Sequence, residues 1–215
     1  MTTQQYGVRI TLGDQADRDD AGAFVARSAR MDPAALIRVR QQGELLQLWA
    51  TTPFDTLATR TVTGTMTLGD ATFHAANLLP GLAVSRNSEV DPGPAVDPLW
   101  RTQLPARAGW VVVDSIPALA FAELNEQGGT AARENVSPAG GTTTSLLDSE
   151  VLTVTGSGMR VVIPMRCVFA LAGMGFAPNE PGEMVRVSAT DAWVRIDGRY
   201  GAVVRRRHSL LPLIF

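Results

Sequence analysis

The sequence predicts an α+β fold with mostly antiparallel strands, arranged in two parts, and three patterns carry that expectation. Short runs alternate apolar and polar residues with the period of a half-buried strand, as in Val8, Ile10 and Leu12 against Arg9 and Thr11. Other runs place apolar groups at the i, i+3, i+4, i+7 spacing of a helix with one buried face, as in Ala21, Phe24, Val25 and Ser28. The strand-like runs also follow one another through short turns, the arrangement that pairs neighbours antiparallel.

In order, Tyr6 to Leu12 reads as a strand. Asp14 or Asp17 caps a helix that stops at Asp32-Pro33. Ile37 and Val39, the turn Gln41-Gln42-Gly43, and Leu46, Leu48 and Ala50 form a hairpin. The threonine-rich run Leu57 to Thr67 adds a half-exposed strand. Ala71, Ala75, Leu78, Leu79 and Leu82 make a short closing helix, interrupted late by Pro80-Gly81. Residues 85–98 hold Asp91-Pro92-Gly93-Pro94 and Asp97-Pro98 and almost no large apolar groups, so they read as a linker between a first part, 1–84, and a second, 99–215.

The second part opens with the apolar run Trp110 to Val113, and Ser115 caps a helix entered at Pro117. Phe121, Leu124, Gly128, Ala131 and Ala132 hold that helix's face, although two adjacent glycines cost about 2 kcal/mol of helix propensity and predict a bend or an end. Ser137 to Thr144 is a loop, and Ser145 with Asp148 resembles a capping box. Val151 to Thr155, Gly156-Ser157-Gly158 and Met159 to Ile163 form a hairpin, and Pro164 suits the first turn of an apolar helix. Three strands follow near Val185, Trp193 to Ile196 and Tyr200 to Val204, the last two joined at Asp197-Gly198.

Composition limits function. At 215 residues, 45% of them hydrophobic and 19% charged, the chain can bury a core without disulfide or metal support. All 19 basic residues are arginine, which removes the P-loop lysine, the kinase lysine and Schiff-base chemistry. GC-rich codon usage accounts for the missing lysine. Cys167 is the sole cysteine, so no intrachain disulfide, multi-cysteine zinc site or CxxC pair can form. The polar N-terminal stretch lacks an apolar signal region, and Val161 to Ala177, broken by Pro164 and Arg166, falls short of a membrane span of about 20 apolar residues. A cytoplasmic protein is expected, without cofactor or metal.

Leu48-Trp49-Ala50-Thr51-Thr52-Pro53-Phe54 and Ser145-Leu146-Leu147-Asp148-Ser149-Glu150-Val151-Leu152-Thr153-Val154, set in a lysine-free, Ala/Arg-rich chain, resemble uncharacterised proteins of high-GC Gram-positive bacteria. The resemblance implies a bacterial cytosolic origin and assigns no activity or residue role.

Groups able to carry chemistry are few. His74 lies beside the Ala71, Ala75, Leu78 stripe and reads as a helix residue at the core's edge. His208 follows Arg205-Arg206-Arg207, whose positive field disfavours its protonation. Cys167, near a helix start, is the best nucleophile candidate, yet its apolar neighbours Met165, Val168, Phe169 and Leu171 favour an inert core thiol. The acids Asp14, Asp17, Asp19 and Asp20 fit a helix entry better than a cation loop. No catalytic residue or metal ligand is assigned.

Residues 1–150 hold 11 arginines against 17 carboxylates, a balance of −6, whereas residues 151–215 hold 8 against 4, a balance of +4. A basic C-terminal module could meet nucleic acid through Arg160, Arg166, Arg186, Arg195, Arg199, Arg205, Arg206 and Arg207. The favoured expectation is a non-enzymatic interaction or regulatory protein. Nucleic-acid binding is the alternative, and a small-molecule enzyme or binder using Cys167 or His74 comes third. Leu210, Leu211, Leu213, Ile214 and Phe215 are too apolar to remain in water, so this segment should be docked, with a homodimer contact preferred over its own core.

Overall fold

The computed structural model describes residues 7–84, 89–134 and 144–207. The chain divides into two compact units, one of Met1–Pro53 and Leu57–Gln103, the other of Phe54–Thr56 and Leu104–Phe215. Helices and antiparallel strands are mixed in both, the predicted class.

In the first unit β1 (Ile10–Leu12) leads into α1 (Gln15–Met31). Asp14 is the N-cap, its carboxylate accepting from the Asp17 N–H at 2.8 Å, and the helix stops at Asp32 before Pro33. Arg18, Ala21, Phe24, Val25 and Ser28 form its buried face. The strands β2 (Leu36–Gln42), β3 (Leu45–Thr51), β4 (Leu57–Met66) and β5 (Asp70–His74) make an antiparallel sheet in the order β5-β2-β3-β4. β1 pairs the far end of β4, and β6 (Glu89–Val90) pairs β1. Ile37, Val39, Leu46, Leu48 and Phe73 of the sheet are buried, as are Leu78 and Leu82 of α2 (Ala75–Val84).

Two expectations for this unit are corrected. Ala71 and His74 lie on strand β5 rather than on the closing helix, because Thr72 and Phe73, a β-branched and an aromatic residue, pair with Arg38 and Ile37 of β2. The helix starts at Ala75 and continues through Pro80 to Val84. Of the predicted linker 85–98, the described residues 89–98 pack on the first unit: Val90 is buried in β6, while the Val96 N–H donates to the Thr72 carbonyl and the Asp97 carboxylate accepts from the Thr72 N–H. Those two bonds satisfy the backbone of Thr72 on the outer edge of β5, and the division between units falls after Gln103.

The second unit holds β7 (Val111–Pro117), α3 (Ala118–Glu134), α4 (Thr144–Asp148), β8 (Glu150–Gly156), β9 (Met159–Pro164), α5 (Met165–Gly173), β10 (Met184–Ala189), β11 (Trp193–Gly198) and β12 (Gly201–Arg206). Its antiparallel sheet runs β12-β11-β10-β7, and β8 and β9 form a separate hairpin. Both units thus begin with a strand entering a 17-residue helix and later pass directly from a strand into a shorter one. This shared plan has no fixed sequence period.

Ser115 belongs to β7 and is no helix cap; α3 starts only after Pro117. The helix runs unbroken through Gly128-Gly129 because α5 packs against it there. A Cβ on Gly128 would stand 2.6 Å from the Met165 Sδ and 3.0 Å from the Phe169 ring. The last hairpin turns at Arg199-Tyr200 instead of Asp197-Gly198. Gly198 pairs with Gly201, which keeps Asp197 inside β11 opposite Ala202. Tyr6, the loop over 137–143, His208 and Leu210 to Phe215 lie outside the described residues.

Candidate interaction surface

Seven of the eight arginines of the candidate basic surface are engaged within the second unit. The most buried is Arg166 on α5, its side chain 7% exposed. Its Nε donates to Asp148 Oδ1 at 3.0 Å, a second nitrogen pairs with the same carboxylate, and its Nη1 donates to the Phe54 carbonyl at 2.9 Å. Arg205 stands 3.8 Å from both Asp55 and Asp148. Arg195 donates to Asp197 at 2.8 Å, and Arg186 lies 3.8 Å from that carboxylate. Arg199 donates to Glu183 at 2.6 Å, and the Arg206 guanidinium sits 4.7 Å above the Trp193 ring. Arg207 donates to the carbonyls of Thr190 and Arg160. Of these eight, Arg160 alone is exposed and has no ion pair among the described residues.

Cys167 is wholly buried one residue beyond Arg166, and that burial pushes its thiol from an ordinary 9.0 up to about 12, against the opposing pull of Arg205 and Arg166. At neutral pH it is a protonated core thiol, poorly suited to attack. His74 closes β5 opposite Leu36, in a different unit from Cys167. A raised folded pKa means that unfolding releases a proton above pH 9. The thiol's contribution to stability is therefore whole below pH 9 and is lost as pH rises toward about 12, at about 1.4 kcal/mol per pH unit. Denaturation of wild type and Cys167→Ala in parallel from pH 8 to 10.5 should show the steeper decline in wild type. Parallel lines would show that Cys167 is not held protonated.

The acids at the first helix also have internal partners. Asp14 caps the helix, Asp17 accepts from the Thr63 N–H, Asp19 accepts from Gln15 and Asp20 pairs with Arg60. Asp17 and Asp20 tie α1 to β4, while Asp14 and Asp19 bond within the helix start. The described residues hold no group of three or more His, Cys, Asp or Glu placed to bind a metal ion.

Residues 6–102 match a domain of unknown function, DUF8010, and residues 105–210 match another, DUF8185. The chain therefore joins two regions, each similar to a domain of unknown function. No curated protein matches it. Among solved structures it resembles the DNA polymerase sliding clamp of Caulobacter crescentus, at 13% identity and a TM-score of 0.59, over 96% of this chain and 67% of that one. The Bacillus subtilis sliding clamp gives 13% identity and a TM-score of 0.59, and that of Pseudomonas aeruginosa 12% and 0.57, each covered over 66% of its length. The fold is sliding-clamp-like, and the chain spans about two thirds of those clamps.

Counted by the two compact units, the charge asymmetry disappears. The first unit carries 9 arginines and 10 carboxylates, and the second carries 10 and 11, a balance of −1 in each. The acids of α3 and α4 belong to the same unit as the C-terminal arginines. On α3 itself Glu123, Glu126 and Glu134 outnumber Arg133.

The apolar surface of the second unit centres on β7, which pairs only with β10 among the described strands. Val111 is 43% exposed and Val112 50%. The outer edge of β7 is nevertheless closed to an added strand. The Ser157 hydroxyl donates to the Val112 carbonyl, Gly156 packs on the Val113 carbonyl, the Ser115 N–H is taken by Asp114, and Pro117 has no N–H. What β7 offers is side-chain surface. Sequence reading found the valine run but missed its exposure, for which the lack of alternation in Val111-Val112-Val113 was the available signal. Among the described residues no helix is long and apolar enough to cross a membrane.

Proposed function

We propose that this protein is a clamp-like, non-enzymatic assembly protein that acts by binding other protein chains, a second copy of itself included. The observation that carries this reading is the sliding-clamp-like fold extending over 96% of the chain. The commitment of Arg166, Arg186, Arg195, Arg199 and Arg205 to neighbouring carboxylates supports a protein partner, because each phosphate contact would have to compete with a pair already formed.

Binding to nucleic acid is the second reading, favoured by the likeness to DNA polymerase sliding clamps and by the exposed Arg160. Salt separates the two, since phosphate contacts weaken steeply between about 50 and 200 mM. Native mass spectrometry of the purified protein should give a species heavier than one chain, and a filter assay at about 50 mM salt should retain no DNA or RNA. A monomer at every concentration, retaining nucleic acid at low salt and losing it as salt rises, would replace the first reading with the second.

A further inference from the structure

We propose that the face of the first unit's sheet turned away from its helices binds a carboxylate presented by an acidic segment of a partner protein, with Arg38 as the principal donor and Arg40 beside it. Alternation fixes the face. Val39, Leu46 and Leu48 line one apolar pocket together with Ala21 of α1 and Leu78 and Leu82 of α2. Arg38 and Arg40, the neighbours of Val39 along β2, therefore lie on the other side of the sheet. There the register sets Thr72, Arg38, Trp49 and Thr59 side by side across β5, β2, β3 and β4, with Asp70, Arg40, Gln47 and Thr61 in the adjacent row.

These rows hold more donors than acceptors. The Arg38 Nε donates to Asp70 Oδ1 at 2.8 Å and the Arg40 Nε lies 3.4 Å from Asp70 Oδ2, so one carboxylate serves two guanidinium groups. Neither arginine side chain makes another hydrogen bond among the described residues. On either side of Arg38, the Trp49 indole N–H and the Thr72 hydroxyl are buried and also have no partner among the described residues. An indole N–H can only donate, and a buried donor left without an acceptor is costly. What the row around Arg38 lacks is an acceptor.

Charge selects the class of ligand. Two guanidinium groups against Asp70 leave one positive charge uncompensated, and the arginine side chains, 24% and 21% exposed, can be reached from solvent. A single carboxylate supplies the two acceptor oxygens that a guanidinium fork takes and balances that charge. A run of phosphates would instead meet Asp70 and also Asp97, whose carboxylate accepts from the Thr72 N–H. The inference rests on the protein-partner reading and names the chemistry by which one partner is held.

The indole N–H of Trp49 is a reporter inside the site, its NMR resonance assigned through Trp49→Phe. At about 50 mM salt, where surface charges are weakly screened, hexaglutamate added to the full chain should shift that resonance saturably, and hexaglutamine should not. Arg38→Gln should weaken hexaglutamate binding at least about tenfold. Asp70→Asn removes the carboxylate that competes for both arginines and should tighten binding about twofold or more, a gain that misfolding cannot imitate. A Trp49 resonance unmoved by hexaglutamate, an equal response to hexaglutamine or in Arg38→Gln, or weaker binding in Asp70→Asn would overturn the site. Hexathymidylate acting at a lower concentration than hexaglutamate would overturn the choice of a carboxylate. If native mass spectrometry finds chains associated while Trp49 stays unmoved, this site falls and the assembly reading stands.

Discussion

Replacing Gly198 with alanine should destabilise the protein by about 3 kcal/mol, at the upper end of what overpacking costs. Gly198 ends β11 where the backbone of Phe176 crosses it. A Cβ there would press on the Phe176 carbonyl oxygen, stand 2.7 Å from its carbon and 3.2 Å from the Ala177 nitrogen. Backbone cannot rotate away as a flexible side chain can. On the paired residue Gly201, a Cβ would meet the Phe176 ring, which is fully buried, and the Tyr200 N–H donates to the Phe176 carbonyl. The two glycines make room for one phenylalanine. Gly43→Ala is the control: its φ of +60° strains any side chain but nothing lies within 4 Å, so only about 1 kcal/mol should be lost. Urea denaturation with unchanged m-values measures both. If Gly198→Ala costs no more than Gly43→Ala, the close approach to Phe176 is not what holds this hairpin.

The sequence carried the α+β class and most of the elements, because strand and helix periods are local signals. The first helix is the clearest case, where a capping aspartate, the apolar spacing and Asp32-Pro33 all agree with α1. Misreadings occurred where a tertiary neighbour overrode local preference. Asp197-Gly198 is a strong turn signal, but Phe176 requires glycine inside the strand, and the turn moves two residues on. Gly128-Gly129 predicts a break, but Met165 and Phe169 occupy the space that a side chain at Gly128 would take. Asp91-Pro92-Gly93-Pro94 predicts a free linker, whereas Val90 and Asp97 on either side of it bind the first unit.

The basic surface was misjudged for a related reason. A running charge count assigns Asp148 and the α3 glutamates to the acidic half, while the fold returns them to the arginines' own unit. Partners distant in sequence, such as Arg166 with Asp55 and Phe54, leave no periodic trace. Burial of Cys167, by contrast, was legible from its apolar neighbours alone.

Truncating the buried arginine of that cluster is the second change with a large expected effect: Arg166→Ala should cost about 2 to 4 kcal/mol. The loss has separable parts. The Phe54 carbonyl gives up its donor, Asp148 gives up two nitrogens, and the packed stem of a side chain only 7% exposed leaves a void. Arg166→Lys should recover little, since one ammonium cannot reproduce a fork that reaches Asp148 and Phe54 together. The carboxylates should rank by exposure. Asp148, half exposed and held by two nitrogens, leaves a buried guanidinium underpaired when changed to Asn, which should cost about 1 to 2 kcal/mol. Asp55 is 83% exposed and 3.4 Å from Arg166, so water screens the pair and Asp55→Asn should fall within about 0.5 kcal/mol of wild type. Its φ of 55° is left-handed, and Asp55→Gly should relieve enough strain to match or exceed wild-type stability. A double-mutant cycle between Arg166→Ala and Asp148→Asn should give a coupling above about 1 kcal/mol, and one with Asp55→Asn close to zero. If the two couplings prove equal, Arg166 answers to the local field as a whole, and the assignment of its stabilisation to the Asp148 fork is wrong.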